Sequence, residues 1–213
     1  MLRECKQRGI FTSLSPQYDA SGEWGGGLEE IFPWLDLFLL NEMEALAIRR
    51  EMRRREGGKE EKEEEEEGVE VEEAASFFVE RGVRHVIVTR GGRGAYALVQ
   101  DEEEEERERE GGREGGRRRR RREVWQACPR KEVVDTTGAG DAFNSGVLYR
   151  LVEGLIRREE GGREEEGEGE GEDVWREVLR MGCAMGSHSV RKVGASAPPR
   201  DREEIVSNLE EIR

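Results

Sequence analysis

Apolar positions along this chain fall alternately into short runs and helical stripes. Residues 2–8 read as a helix that Gly9 stops, and Ile10 to Leu14 as a short strand closed by Ser15-Pro16. Asp19 to Gly27 is turn-rich, and Leu28 to Trp34 is a short helix broken by Pro33. Residues 35–40 (LDLFLL) are almost continuously apolar, the pattern of a strand buried on both faces. Asn41 then opens a helix over Glu42 to Arg50. Ala75, Phe78 and Val79 share one face of a helix from Ala74 to Arg81, Gly82 ends it, and His85 to Thr89 is a strand. The turn Gly91-Gly92-Arg93-Gly94 leads into another strand, Ala95 to Val99. Val133-Val134 closes a short strand before a glycine-rich turn, after which Phe143, Val147, Leu148, Leu151, Val152 and Leu155 recur at helical spacing. Further helices run from Val174 to about His188 and from Asp201, where Asp201 and Glu204 are spaced as a capping box. Strands alternating with helices predict an α/β fold with a largely parallel sheet.

Composition sharpens this picture because the charge is concentrated. The chain has 213 residues and a formal net charge of -14. Three stretches, 51–73, 101–123 and 157–173, hold 31 of the 50 acidic and 17 of the 36 basic side chains, which accounts for the whole imbalance. They read as charged low-complexity insertions between elements, where length costs little entropy. The remainder is neutral and ordinary for one globular domain. The Arg117 to Arg122 run reads as a solvated mixed-charge loop, neutralised by the acidic residues just upstream, rather than a nucleic-acid surface. No run is long and apolar enough to span a membrane, and Met1 is not followed by a signal sequence. Cys5, Cys128 and Cys183 are odd in number and widely spaced, so neither a disulfide framework nor a zinc site is indicated. The expected compartment is the cytoplasm, with an organellar address left open if the start lies upstream.

Candidate chemistry sits at residues 133–143, VVDTTGAGDAF, where a tight turn of small residues hands over to a helix. The first N–H groups of such a helix have no partner within it and form a ready anion site. An acidic residue there is odd for a plain phosphate cradle. Either Asp141 simply favours the first helical turn, or it faces a second substrate and accepts a proton from an attacking hydroxyl while the amides hold phosphoryl charge. Asn41 and Glu44, standing alone, read as a capping box. Thr89 to Gly94 alone is only a hairpin turn. His85, among apolar neighbours, reads as packing, and His188 as a dipole partner or the border of a ligand pocket.

Residues 135–146, DTTGAGDAFNSG, resemble the C-terminal signature of the PfkB carbohydrate kinases, the ribokinase-like family. The resemblance implies a ribokinase-like three-layer fold with Asp141 as the catalytic base. It makes the backbone of Gly138, Ala139 and Gly140 the anion hole, with the amides of Ala139, Gly140 and Asp141 stabilising the transferring phosphoryl group. Asn41 and Glu44 are similar to its NxxE motif, whose Glu arranges Mg2+ and its waters. Thr89, Gly91, Gly92, Arg93 and Gly94 are similar to its T-x-G-x-x-G loop along the nucleotide phosphates. A monovalent cation site for K+ is implied at Asp135 and Thr137 with carbonyls of Ser189, Lys192 and Gly194. The implied reaction transfers the γ-phosphoryl of ATP to a hydroxymethyl group of a sugar or sugar acid.

The resemblance covers only the later part of the family's pattern. The early strands, the sugar-binding Gly-Gly signature and the small β lid are not found before Ile10, so an incomplete, weakly active or inactive kinase is expected, with an exposed apolar sheet edge that invites pairing, for example into a homodimer. A non-catalytic nucleotide-binding or interaction protein on the same fold is the competing reading.

Overall fold

The computed structural model describes residues 1–17, 19–24, 26–57, 70–102, 119–128, 132–159, 174–194, 199 and 201–212. In chain order the elements are α1 (Leu2–Gln7), β1 (Ser13–Leu14), α2 (Leu28–Ile31), β2 (Leu37–Asn41), α3 (Glu42–Arg55), α4 (Val71–Glu80), β3 (His85–Thr89), β4 (Ala95–Glu102), β5 (Arg119–Gln126), α5 (Ala139–Glu159), α6 (Val174–Ser189) and α7 (Arg202–Glu210). Short 3-10 turns occupy Phe32–Trp34 and Gly91–Arg93. The strands form one sheet in the order β1-β2-β3-β4-β5. β1, β2 and β3 are parallel, and β4 and β5 return antiparallel as a hairpin.

The side-chain alternation of β2 divides the core into two layers. Phe38 and Leu40 point into one cluster with Val86, Val88, Tyr96 and Leu98, covered by Ala45, Ile48 and Met52 of α3 and Val71, Ala74 and Phe78 of α4. Phe32, Phe38 and Phe78 meet there with ring centroids 5.2 to 5.6 Å apart. Leu37 and Leu39 point the other way, with Ile87, Ala97 and Val124, under Phe143 and Val147 of α5 and Trp175, Val178 and Leu179 of α6. The apolar run at 35–40 is thus buried on both faces, as its pattern requires, and the result is the expected helix–sheet–helix layering.

Several boundaries differ from the sequence reading: β1 is only Ser13–Leu14 of the expected Ile10 to Leu14, α4 begins at Val71, and β4 runs past Val99 to Glu102. Helix α3 runs on to Arg55, because Glu51 is held by Arg54 and Arg55 at 2.8 and 2.7 Å and Met52 joins the core. The arginine run is not a loop where it is described: Arg119 to Arg122 belong to β5, in register with Glu102, Asp101, Gln100 and Val99, so two of the four arginine positions stand opposite acidic ones. Val133-Val134 is not a sheet strand. Both residues are exposed, and the Val134 and Asp135 amides donate instead to the Val190 carbonyl at 2.8 and 3.2 Å. Residues 71–73, 101–102 and 157–159 of the charged stretches likewise belong to α4, β4 and α5, whereas 58–69, 103–118, which include Arg117 and Arg118, and 160–173 lie outside the described residues.

Exposed apolar side chains lie near β1 and on α5. β1 is two residues long, Ile10 and Phe11 beside it are exposed, and Leu148, Tyr149 and Val152 form an exposed stripe on α5. Among the described residues no helix is long and apolar enough to cross a membrane.

Asn41 does cap α3. Its Oδ1 accepts the Glu44 amide at 2.8 Å while the Glu44 carboxylate accepts the Asn41 amide at 2.9 Å. Asn41→Ala is expected to cost about 1 kcal/mol, read as a lowered thermal midpoint.

Candidate active site

Strands β1, β2 and β3 run parallel, so their C-terminal ends open at one rim of the sheet, where α/β folds commonly hold ligands. A cleft of about 540 Å3 lies there, lined by Asp19 to Gly22, Trp24, Asn41 to Glu44, Ala47 and Thr89 to Gly91. The in-register pair Asn41 and Thr89 forms its floor at the ends of β2 and β3. The structure therefore brings together Asn41, Glu44, Thr89 and Gly91 from the sequence reading. Half-burial of Glu44 pushes its carboxyl up against the opposing hydrogen bonds from Asn41.

Not every residue of the Thr89 to Gly94 loop faces this cleft. Arg93 ion-pairs with Glu42, whose other oxygen lies 3.4 Å from Arg90, and Arg90 also lies 5.1 Å from the centre of the Trp125 ring. Gly94 is turned away: a Cβ there would stand 1.9 Å from the Gln126 carbonyl oxygen. Gly92 does not line the cleft either. The wall formed by Asp19 to Trp24 and the Glu42 clamp were not anticipated; only the turn-rich composition of Asp19 to Gly27 hinted at the first.

The second half of the site is the turn into α5. Gly138 has φ +74, a left-handed conformation that glycine adopts without strain, and its carbonyl accepts the Ala142 amide at 2.9 Å to begin the helix. Asp141 lies exposed in the first turn. The Ala139 amide is not available to an anion, since it donates to the Thr136 carbonyl at 3.2 Å. The Gly140 and Asp141 amides have no partner among the described residues, and a Cβ on Gly140 would project into open space. One turn further, Asn144 donates to Ser15 Oγ at 3.0 Å and so ties α5 to the end of β1. Asp141 does not line the cleft of Asn41 and Thr89; it sits at the same sheet rim, on the β1 side.

The third group clusters behind this turn. Asp135 accepts the Thr137 amide at 2.9 Å on one carboxylate oxygen and the Gly194 amide at 3.0 Å on the other. The Gly194 contact first, then the Thr137 amide and hydroxyl, hold its carboxyl down at about 2. Asp135, Thr137 and Gly194 are thus together, although Gly194 contributes its N–H and not the expected carbonyl. The Ser189 carbonyl accepts the Lys192 amide at 3.4 Å, while the buried Ser189 hydroxyl has no hydrogen-bond partner among the described residues. The Lys192 side chain turns aside to His188, at 3.2 Å. His188 is buried between Lys192 and Asn208, and His85 is packed against Trp175 with its Nδ1 accepting the Gln100 amide. His85 is therefore a packing residue.

A pH dependence follows from Asp135. Its folded pKa lies below the ordinary 3.8, so the contact stabilises the fold fully above that value and is lost as pH falls from about 4 towards 2. Glu51, held at about 2 by Arg54 and Arg55, titrates in the same window. The check is the difference between the wild-type and Asp135→Asn thermal midpoints, expected to shrink across that range.

Comparison with known proteins gives one consistent answer. The model of the pfkB family carbohydrate kinases matches residues 3–202. Among solved structures, ribokinase from Thermotoga maritima is 26% identical with a TM-score of 0.58, over 97% of this chain and 52% of that one. Ribokinase from Arabidopsis thaliana, solved with ribose and ATP, is 22% identical with a TM-score of 0.58, over 98% and 50%. An E. coli protein assigned as a ribokinase II, solved with ATP and magnesium, is 21% identical with a TM-score of 0.61, over 98% and 51%. The chain spans about half the length of these proteins. No curated protein sequence matches it.

Proposed function

Because the chain belongs to the pfkB family of carbohydrate kinases, we propose that it carries the phosphoryl-transfer part of an ATP-dependent kinase acting on a hydroxymethyl group of a sugar or sugar acid. The observation that carries this reading is the α5 turn, where an exposed carboxylate stands beside two unpartnered amides at a helix N-terminus.

Asp141 accepts the proton of the attacking hydroxyl, and the Gly140 and Asp141 amides hold the negative charge that spreads over the phosphoryl oxygens. The nucleotide lies in the cleft of Asn41, Thr89 and Gly91, its phosphates directed along the sheet rim towards Asp141. Arg90 and Arg93 exchange Glu42 for phosphate oxygens. Glu44 fits a magnesium-ordering role, since burial opposes its charge and a divalent cation nearby offsets that cost. Bound magnesium would neutralise phosphate charge. Asp135, ionised throughout the neutral range, with the Thr137 hydroxyl and the unpartnered Ser189 hydroxyl nearby in sequence to its Val190 contact, fits a monovalent cation such as K+. Asp141 is open to solvent, so water is poorly excluded and turnover is expected to be slow.

The test is ADP release with magnesium-ATP and a panel of sugars and sugar acids, comparing wild type with Gly140→Ala. The added methyl meets no atom within 4 Å and should leave the thermal midpoint nearly unchanged while occupying the anion position. Acceptor-dependent ADP formation that falls at least tenfold in Gly140→Ala supports the reading. Equal rates in the two proteins contradict it.

A further inference from the structure

The fold joins two cysteines that the sequence holds far apart. Cys128 follows the end of β5, and Cys183 lies within α6. Cys128 Sγ lies 2.8 Å from Ser187 Oγ, one turn along α6 from Cys183, and Cys128 packs against the cluster in which Cys183 is buried. Both sulfurs belong to the α5–α6 side of the core, and both are reduced. Their access differs. Cys183 is 3% exposed, whereas Cys128 is only partly covered. Of the two, Cys128 is therefore the more open to a dissolved oxidant.

We propose that Cys128 and Cys183 form a thiol–disulfide modification site, with Cys128 as the entry sulfur, Cys183 as the resolving sulfur and a small disulfide such as oxidised glutathione as the reaction partner. The Cys128 thiolate attacks one sulfur of the oxidant, whose S–S bond breaks. One glutathione thiolate leaves and takes up a proton, and a mixed disulfide remains on Cys128. Cys183 then loses its proton and attacks the Cys128 sulfur, forming the protein disulfide and expelling the second glutathione as a thiol. Two protein thiols are oxidised and one small disulfide is reduced to two thiols. The second step is the slow one, because Cys128 and burial both push the Cys183 thiol up, so little thiolate is present to attack.

The position gives the site a consequence. Cys128 precedes the chain that leads to the Asp135–Asp141 turn, and α6 ends at the Ser189–Val190 step whose carbonyl holds the Val134 and Asp135 amides. A bond between the two sulfurs ties together the two segments that anchor that turn. The chemistry of the pair does not depend on the kinase reading.

The experiment uses the full chain with Cys5→Ser, to remove the remaining thiol, incubated with oxidised glutathione, quenched with an alkylating reagent and analysed by intact mass and peptide mapping. The expected sequence is a glutathione adduct on Cys128, then loss of two hydrogens with a Cys128–Cys183 linked peptide, a rise in thermal midpoint and reversal by dithiothreitol. Cys183→Ser should stop at the Cys128 adduct, and Cys128→Ser should leave Cys183 unmodified. A Cys128 adduct that persists without a linked peptide, or labelling of Cys183 ahead of Cys128, would overturn the proposal.

Discussion

Asp141→Ala is expected to lower phosphoryl transfer by about 10^2- to 10^4-fold, the range over which a positioned general base contributes, while nucleotide affinity changes little. The separation follows from geometry. Asp141 stands on α5 at the β1 side of the sheet rim, whereas the cleft of Asn41, Glu44 and Thr89 does not include it. Removing the carboxylate therefore takes away the proton acceptor without touching the nucleotide's walls. It also removes a negative charge beside the anion position, so affinity for ATP should hold or rise slightly. Isothermal titration with ATP and a coupled ADP-release assay read the two quantities separately. Unchanged turnover, or binding and turnover lost together with the fold intact, would contradict the assignment.

Gly94→Ala is expected to destabilise the fold by about 2 to 5 kcal/mol, from the cost of a backbone conformation open to glycine alone and from overpacking. Gly94 has φ +95 and ψ -138. Its missing side chain is faced by the Gln126 carbonyl at 1.9 Å and by Ala127 Cα at 2.9 Å, both backbone atoms that cannot swing aside. The turn between β3 and β4 thus closes on the end of β5. Thermal or urea unfolding reads the loss. Because Gly140→Ala meets nothing within 4 Å, the pair separates a glycine kept for packing from one kept for ligand access. A Gly94→Ala protein as stable as wild type would show that the β5 end yields.

How far the sequence could be read depended on whether each interaction was local. The two-faced burial of β2 was legible because a strand covered on both sides needs a nearly continuous apolar run, and LDLFLL supplies one. The Asn41–Glu44 cap was legible because its two hydrogen bonds join residues three apart. β5 was hidden because arginines carry no period-2 apolar signal; only its pairing with β4 gives Arg119 to Arg122 a strand conformation. The end of α3 was obscured similarly, its buried Glu51 reading as one more charge in a charged stretch. In the site, the motif glycines did not distinguish an amide already bonded, as at Ala139, from those left open at Gly140 and Asp141. The links from Asn144 to Ser15, from Glu42 to Arg90 and Arg93, and from Cys183 to Cys128 span distant segments, so no spacing announces them.

Amide-resolved NMR titration with magnesium-ATP, following the Gly140 and Asp141 N–H signals, gives the most direct reading because it needs no turnover. Large shifts at those two amides together with Glu44, Thr89 and Gly91 are predicted. Shifts confined to the cleft, with Gly140 and Asp141 unmoved at saturating nucleotide and with a bound phosphoryl analogue, would contradict an anion site at the head of α5.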